Sequence, residues 1–373
     1  MNNAKAKSII KSPLIRVAKR SEIAWQKAWL IRVVAVLLAL VINALLIYSI
    51  TKMNPIEVYK SMFAGAFGTS RRLWSFIREG CMLLCISVAL APAFKMRFWN
   101  IGAEGQVLVG GIATAACMIY LGDVLPTPLL MLVMLVTSIL AGAVWGLIPA
   151  IFKSKWETNE TLFTLMMNYI AIQLTSYCVA LWENPYGSNK VGIINPQTKA
   201  GWLPKLFGQQ YGWNVVLVLA LALLIFFYLK YSKQGYEIAV VGESENTARY
   251  AGINVRHVIL RTMLLSGAIC GIAGFIGVAA VDHTISTNTA GGRGFTAIII
   301  AWLAKFNTLT MIVITSLIVF LDQGATQIVS DFSKLGINDY VAEIIKGIIL
   351  FFILGSEFFV NYRLIFRKHA KAN

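Results

Sequence analysis

Charged residues are scarce in this chain: only 13% of its 373 residues are Asp, Glu, Lys or Arg, whereas 58% are hydrophobic and the mean hydropathy is +0.70. The apolar residues form long runs, such as Leu30 to Ile50. A run of about 18 residues or more can cross the roughly 30 Å hydrocarbon core of a bilayer as a helix. Continuous runs exclude a membrane β-barrel, whose strands alternate apolar and polar residues. The composition therefore predicts an all-α, polytopic membrane protein.

Motifs for catalysis and nucleotide binding are also missing. The sequence has no Gly-x-x-x-x-Gly-Lys-Ser/Thr phosphate loop, no His-Glu-x-x-His and no Gly-x-Ser-x-Gly. The adjacent acid and imidazole of Asp282 and His283 fall at an outer helix end, where we expect a solvated turn. The cysteines lie in or beside apolar segments, without the spacing of a zinc site: Cys81, Cys85, Cys117, Cys178 and Cys270. We expect no enzyme activity, cofactor or metal here, and any ATP hydrolysis would belong to a separate subunit.

The apolar runs predict ten membrane crossings, centred near residues 40, 84, 112, 140, 170, 221, 271, 300, 318 and 351. Ten crossings put both ends on one side, and the Lys and Arg in both tails place that side in the cytoplasm. The predicted organisation is a basic tail at 1–28, a transmembrane domain at 29–362 with a cytoplasmic loop at 230–261, and a tail at 363–373. Contact with the lipid bilayer of the cell membrane explains the net charge of +16 better than nucleic acid does.

Two segments fit this threading less simply. Residues 51–78 carry five basic side chains on the assigned outer side, so either they form an interfacial helix and loop or the second crossing is misplaced. Residues 294–304 span only about half a bilayer before Lys305. Because Gly291 and Gly292 precede this segment and free the backbone to turn, we expect a broken or re-entrant helix there.

A polar cluster stands at the start of the third crossing. Asn100, Glu104 and Gln106 precede an apolar run that extends to about residue 121. Glu104 must be neutralised, paired, or held in a water-accessible or protein-lined cavity, because an unpaired charge in a membrane is costly. We expect these residues to belong to the translocation path or to a polar network, although Glu104 could instead serve only the dipole of its own helix.

The fifth crossing opens with Asn159 and Glu160 and contains Asn168. The acids and threonines near residue 158 are good helix-start chemistry, which would explain Asn159 and Glu160 without any substrate. Asn168 lies well inside the span and needs a partner, so it is the better candidate for a helix contact or for the path.

Two further patterns predict contacts. Gly142 and Gly146 on the fourth crossing, and Gly267, Gly271 and Gly274 on the seventh, share the small-residue spacing of closely packed membrane helices. In the loop at 230–261, residues 245–251 predict a short helix with Ser244 as its N-cap and Gly252 as its end. Such a helix is typical of a docking element, and an ordinary solvated connector is the alternative.

Several of these segments together resemble one family. They are Asn-Ile-Gly-Ala-Glu-Gly-Gln at 100–106, Thr-Leu-Phe-Thr-Leu-Met-Met-Asn-Tyr-Ile-Ala at 161–171, Ala-Arg-Tyr-Ala-Gly-Ile at 248–253, Ser-Gly-Ala-Ile-Cys-Gly-Ile-Ala-Gly at 266–274 and Gly-Phe-Thr-Ala-Ile-Ile-Ile-Ala-Trp-Leu at 294–303. In this order they resemble the membrane permeases of bacterial ABC importers for nucleosides and simple sugars, and most closely the longer nucleoside permease. The family's Gly-Glu-Asn-Pro-like turn is replaced here by Gly-Glu-Ser-Glu-Asn-Thr at 242–247.

The resemblance implies a permease that works by alternating access with three partners: a second permease, a cytoplasmic ATPase and an extracytoplasmic substrate-binding lipoprotein. It also implies that the ATPase contacts the loop through Gly242, Glu243, Glu245, Asn246, Ala248, Arg249 and Gly252. A nucleoside is the expected solute, ahead of simple sugars and riboflavin-like compounds. The alternative is an ion-coupled secondary transporter of a small polar solute, for which Glu343 is the clearest further acid. An intramembrane enzyme built on Asp282 and His283 is a third, weaker reading.

Overall fold

The computed structural model describes residues 15–20, 24–52, 54–206, 208–333 and 338–366. Two compact units are present, one formed by Ala66–Gln323 and the other by Met1–Gly65 with Gly324–Asn373. In chain order the elements are β1 (Ile15–Lys19), α1 (Trp25–Thr51), α2 (Pro55–Phe67), α3 (Ser70–Lys95), α4 (Ala103–Leu121), α5 (Thr127–Trp156), α6 (Glu160–Leu181), α7 (Gly212–Tyr231), α8 (Lys233–Glu243), α9 (Glu245–Tyr250), α10 (Val255–Ile276) with a π-helical continuation (Gly277–Asp282), α11 (Arg293–Leu303), α12 (Thr308–Phe332), α13 (Asp339–Asn361) and β2 (Tyr362–Phe366).

The helices confirm an all-α, polytopic membrane protein. Among the described residues, eight helices are long and apolar enough to cross a membrane: α1, α3, α4, α5, α6, α7, α10 with its continuation, and α12. Each of the ten predicted centres falls on a helix. The predicted eighth crossing is α11, which has only 11 residues and is therefore about 17 Å long. The tenth centre lies on α13, which has 23 residues.

The larger unit is built around α10, the most deeply buried of the eight spans. Its glycines pack directly on the backbones of α4 and α5. A Cβ atom added to Gly142 would meet Gly267 and Gly271, one added to Gly146 would lie 2.9 Å from the Met263 carbonyl oxygen, and one added to Gly274 would meet Val107 and Gly111. Glycine is therefore required at these positions by close approach of the helices.

The smaller unit pairs α1 with α13. Arg32 of α1 forms an ion pair with Glu357 of α13 at 2.6 Å, and Asn43 donates a hydrogen bond of 3.1 Å to the carbonyl of Ile345. An antiparallel ribbon of β1 and β2 extends this pair, with Arg20 N–H bonded to the Asn361 carbonyl at 2.8 Å. The sequence analysis predicted only tails at 1–28 and 363–373. It did not predict these strands or the start of α1 at residue 25. Residues 1–14, 21–23 and 367–373 lie outside the described residues.

The segment 51–78 is helical. It contains α2 and the start of α3, and the Thr69 hydroxyl caps α3 by accepting a hydrogen bond of 3.3 Å from Arg72 N–H. The predicted centre at residue 84 falls within α3, which is long and apolar enough to cross a membrane.

Candidate functional site

The turn between α3 and α4 carries the first part of the polar cluster. Asn100 is fully buried, and its side-chain oxygen accepts hydrogen bonds from Gly102 N–H at 3.0 Å and from the Gln106 amide at 3.3 Å. Its amide nitrogen donates to the Ser266 hydroxyl of α10 at 3.2 Å. Because both polar atoms of the Asn100 side chain have partners, this side chain fixes the turn against α10.

Glu104 caps a helix other than its own. Its two carboxylate oxygens accept hydrogen bonds from Gly292 N–H at 2.7 Å and from Gly294 N–H at 2.8 Å, at the N-terminus of α11. Gly292 has a φ of 73°, and a Cβ added to Gly294 would lie 2.7 Å from Glu104 N, so both glycines are needed for this approach. The buried carboxylate, 6% exposed, therefore stabilises the positive end of the short helix.

A second carboxylate holds the same end of α11. Glu79 of α3 binds the guanidinium of Arg293 at 2.6 Å and that of Arg78 at 2.8 Å. The sequence analysis did not identify Glu79. In the sequence, Glu79 is marked only by its place next to Arg78 near the start of an apolar run. This pattern is weak, because it does not reveal the partner Arg293. The N-terminus of α11 is thus tied to both α3 and α4.

From α6, two side chains reach the same turn. Asn168 donates a hydrogen bond of 2.9 Å to the Ile101 carbonyl and accepts one of 2.9 Å from Gly105 N–H. The Thr164 hydroxyl accepts one of 3.1 Å from Ile101 N–H. Asn168, predicted to need a partner, therefore satisfies the backbone where α4 begins. With Asn100 and Gln106 it holds this turn, and Glu104 extends from the same turn to α11; we call these residues the buried network. Thr164 and Ser266 belong to this network but were not predicted.

Asn159 and Glu160 do not join this network. Asn159 is the N-cap of α6, accepting hydrogen bonds from Thr161 N–H at 3.0 Å and Leu162 N–H at 3.2 Å, and it is exposed. Glu160 forms an ion pair of 2.9 Å with Lys153 of α5. The helix-start explanation therefore accounts for the contacts of both residues.

The connection between α7 and α10 is more helical than predicted. The expected short helix is α9: the Ser244 hydroxyl accepts a hydrogen bond of 3.3 Å from Thr247 N–H, and Gly252 follows with a φ of 77°. In addition, α8 precedes α9, and α10 begins at Val255, so residues 232–254 form the connection instead of 230–261. Ser232 caps α8, with its hydroxyl accepting from Gly235 N–H at 2.9 Å.

This connection is fixed on one side and exposed on the other. A Cβ added to Gly242 would meet the Lys95 carbonyl at the end of α3, and Ala248 is fully buried. Arg249 lies 3.7 Å from Glu245, and the two side chains are 60% and 50% exposed. Glu243, Asn246 and Gly252 are also exposed. A polar cavity of about 530 Å³ adjoins this surface, lined in part by Lys153, Glu157, Arg249 and Arg256.

The prediction of a solvated turn was wrong for His283. This side chain is only 9% exposed, and its ring stacks on Trp202 with centroids 3.8 Å apart. Trp202 in turn donates a hydrogen bond of 2.9 Å to the Ile194 carbonyl, so the loop after α6 covers the end of α10. Burial lowers the pKa of His283 below its usual value. By contrast, the five cysteines are free and buried, in agreement with the sequence analysis.

Comparisons with known proteins agree with this architecture. The family model described as branched-chain amino acid transport system / permease component matches residues 73–354. The guanosine ABC transporter permease protein NupP of Bacillus subtilis is 28% identical, over 88% of this chain and 93% of its own length. The glucose ABC transporter permease protein TsgB13 of Haloferax volcanii is 29% identical (89% and 88%), and the nucleoside ABC transporter permease protein NupB of Lactococcus lactis is 25% identical (86% and 89%). The chain therefore belongs to the branched-chain amino acid transport system permease component family.

Proposed function

We propose that this chain is the permease subunit of an ATP-driven ABC importer and that it forms, with a second permease, the translocation path for a nucleoside or related small solute. The family match and the relatives, which are named as ABC transporter permeases for guanosine, nucleosides and glucose, support this assignment. An ATPase subunit would supply the nucleotide chemistry, and an extracytoplasmic lipoprotein would deliver the substrate.

One observation supports the proposed coupling: one face of α9 is exposed, and the opposite face is packed against the rest of the unit. Arg249 and Glu245 are available on the exposed face, while Ala248 is fully buried. The neighbouring α8 contacts the end of α3 through Gly242. A short, capped helix with such contacts transmits a displacement as a rigid body, whereas a flexible loop would change its own conformation instead.

The end of α3, which α8 contacts, is continuous with the buried network. The end of α3 at Lys95 continues into the turn that holds Asn100, and Asn100 is bonded to Ser266 of α10. From there Glu104 reaches the N-terminus of α11. A displacement of α9 by the ATPase would therefore be passed to α3, α10 and the short helix. In this proposal Asn100, Glu104, Gln106 and Asn168 transmit movement, whereas Asn159 and Glu160 stabilise the start of α6.

The orientation follows from the basic residues. Lys230 ends α7, Arg256 and Arg261 begin α10, and Lys153 and Lys155 end α5, so this end of the helices is assigned to the cytoplasm of the cell membrane. With α9 at this end, the ATPase has access to it. We also propose that both termini lie in the cytoplasm, because both tails are rich in Lys and Arg.

An ion-coupled transporter is the less supported function. It needs an acid that is free to bind an ion or a proton inside the membrane. Both carboxylate oxygens of Glu104 are engaged by backbone N–H groups. Glu343 is exposed in the second turn of α13, close to the start of that helix. Neither position favours ion coupling, and the relatives are named as ABC transporter permeases.

Charge reversal on α9 tests the proposal. In the complex with the ATPase, Arg249→Glu is expected to abolish substrate-stimulated ATP hydrolysis and uptake while membrane insertion stays normal. The double variant Glu245→Arg with Arg249→Glu restores the ion pair within the helix. Its uptake should stay defective if the exposed surface of α9 binds the ATPase, and should recover if only the ion pair is needed. Lys233→Glu on α8 is the matched control. Unchanged stimulation in Arg249→Glu would move the coupling site elsewhere.

A further inference from the structure

We propose that the exposed face of α6 lines the substrate path, and that Tyr169, Gln173 and Tyr177 form a contact site there for the planar base of a nucleoside-like solute. This inference rests on the proposed function and adds a site to it. The site lies on the face of α6 opposite to Asn168, whose amide is occupied within the buried network.

The first observation is that the exposed face of α6 carries polar side chains among its apolar ones, whereas the exposed middle of α5 carries none. Tyr169 is 59% and Tyr177 is 67% exposed, and Gln173 is exposed between them. Gln173 makes no hydrogen bond to any residue that the structure describes. The exposed positions in the middle of α5 are instead entirely apolar: Leu132, Val136, Leu140 and Val144. An amide facing hydrocarbon without a partner is costly, so the α6 face requires water, substrate or protein against it.

The second observation is depth. Gln173 lies 13 residues after the start of the 22-residue α6, which is about 20 Å along the helix and about 12 Å from its end. Tyr169 lies one turn earlier. Tyrosine at a membrane interface is common, and that could explain Tyr177 near the end of the span. It does not explain Tyr169 or Gln173.

The three side chains match one kind of solute. Their spacing of four residues puts them on one stripe of the helix, with steps of about 6 Å. Phenol rings stack on planar heterocycles, and a glutamine amide offers both donor and acceptor to the edge of a base. Toward the start of α6, Leu162, Met166 and Ile170 continue the face and line a cavity of about 410 Å³. A flexible methionine surface lets an apolar ring pass without holding it tightly.

Cysteine accessibility in the reconstituted complex tests the placement. Tyr169→Cys and Gln173→Cys are compared with Leu140→Cys on α5, using a charged, membrane-impermeant methanethiosulfonate reagent. The native cysteines are buried, so wild-type protein supplies the background rate. We expect the α6 variants to react at least tenfold faster than Leu140→Cys, and modification to block guanosine uptake. Rates equal to that of the control would overturn the inference, because the face would then contact lipid or the second permease.

Substitution tests the chemistry. Tyr169→Leu removes the ring, whereas Tyr169→Phe keeps it. We expect the first to lower the maximal rate of guanosine uptake at least fivefold and the second to retain it, with both variants assembled into the complex as wild type is. Equal uptake by Tyr169→Leu and wild type would contradict a base-contact site. A wild-type complex without ATP-driven uptake would instead refute the proposed function, so the two failures are distinguishable.

Discussion

Replacing Glu104 by alanine removes the cap from α11 and tests what the buried network contributes. The substitution deletes two hydrogen bonds from backbone N–H groups to a carboxylate, at 2.7 and 2.8 Å, in a side chain that is only 6% exposed. Hydrogen bonds to charged groups contribute about 1.5 to 3 kcal/mol each. A favourable interaction with a helix N-terminus adds about 0.3 to 1 kcal/mol. We therefore expect the free energy of unfolding to fall by at least about 3 kcal/mol.

The matched control is Glu160, which is also an acid in the first turn of a helix. Its ion pair with Lys153 lies near the surface, with side-chain exposures of 15% and 25%, and such pairs contribute about 0 to 1 kcal/mol. Thermal unfolding of the purified complex should separate Glu104→Ala from Glu160→Ala. Glu104→Gln should be intermediate, because the amide retains one acceptor oxygen but turns a donor toward the second N–H group.

Uptake is the second readout for these variants. We expect Glu104→Ala to be expressed normally and to transport poorly, since α11 loses its fixed position, whereas Glu160→Ala should transport almost as wild type does. If Glu104→Ala and Glu160→Ala show the same stability and the same uptake, Glu104 is no more than a weak cap. The role given to residues 100–106 would then be wrong.

Two further predictions concern packing and pH. Gly271→Ala should destabilise the protein by about 1 to 3 kcal/mol, because the new Cβ meets the backbone of α5. The control Gly80→Ala, whose Cβ has open space, should be neutral or stabilising by up to about 1 kcal/mol. Thermal unfolding of the two variants measures the difference. His283 has a pKa lowered by burial from 6.5, so the unfolded chain binds more protons at that site and stability is lost as the pH falls below about 6.5. The decrease in unfolding temperature from pH 7 to pH 5 should therefore be smaller in His283→Phe, which retains a ring to stack; an identical decrease would mean that other groups cause it.

The positions of the helices were predictable because the signal is local. Apart from the short α11, each predicted crossing is an apolar run of membrane length. The helix α9 is preceded by Ser244 and followed by Gly252, which are capping residues within a few positions of the helix ends. The packing glycines followed from their spacing on one helix face. The boundaries of the connection were less accurate, since α8 is only 11 residues long and contains two glycines, which lower helix propensity.

The partners of the polar residues were not predictable, because they are distant along the chain. Glu104 binds residues 188 and 190 positions later, and β1 pairs with a strand near the other end of the sequence. The sequence indicated that Glu104 needed partners, but no local pattern identifies the N-terminus of α11 as the one. The sequence separated Asn168, well inside its span, from Asn159 at the helix start, but it could not identify Ile101 and Gly105 as the partners of Asn168.

The central claim is that this chain provides the path and the coupling surface while another subunit hydrolyses ATP. Its most direct test is uptake of labelled guanosine into proteoliposomes that contain the chain with its second permease, ATPase and binding protein, compared with the chain alone. We predict uptake that requires both the ATPase and ATP and is insensitive to ion gradients. Uptake by the chain alone, driven by a proton or sodium gradient, would contradict the account.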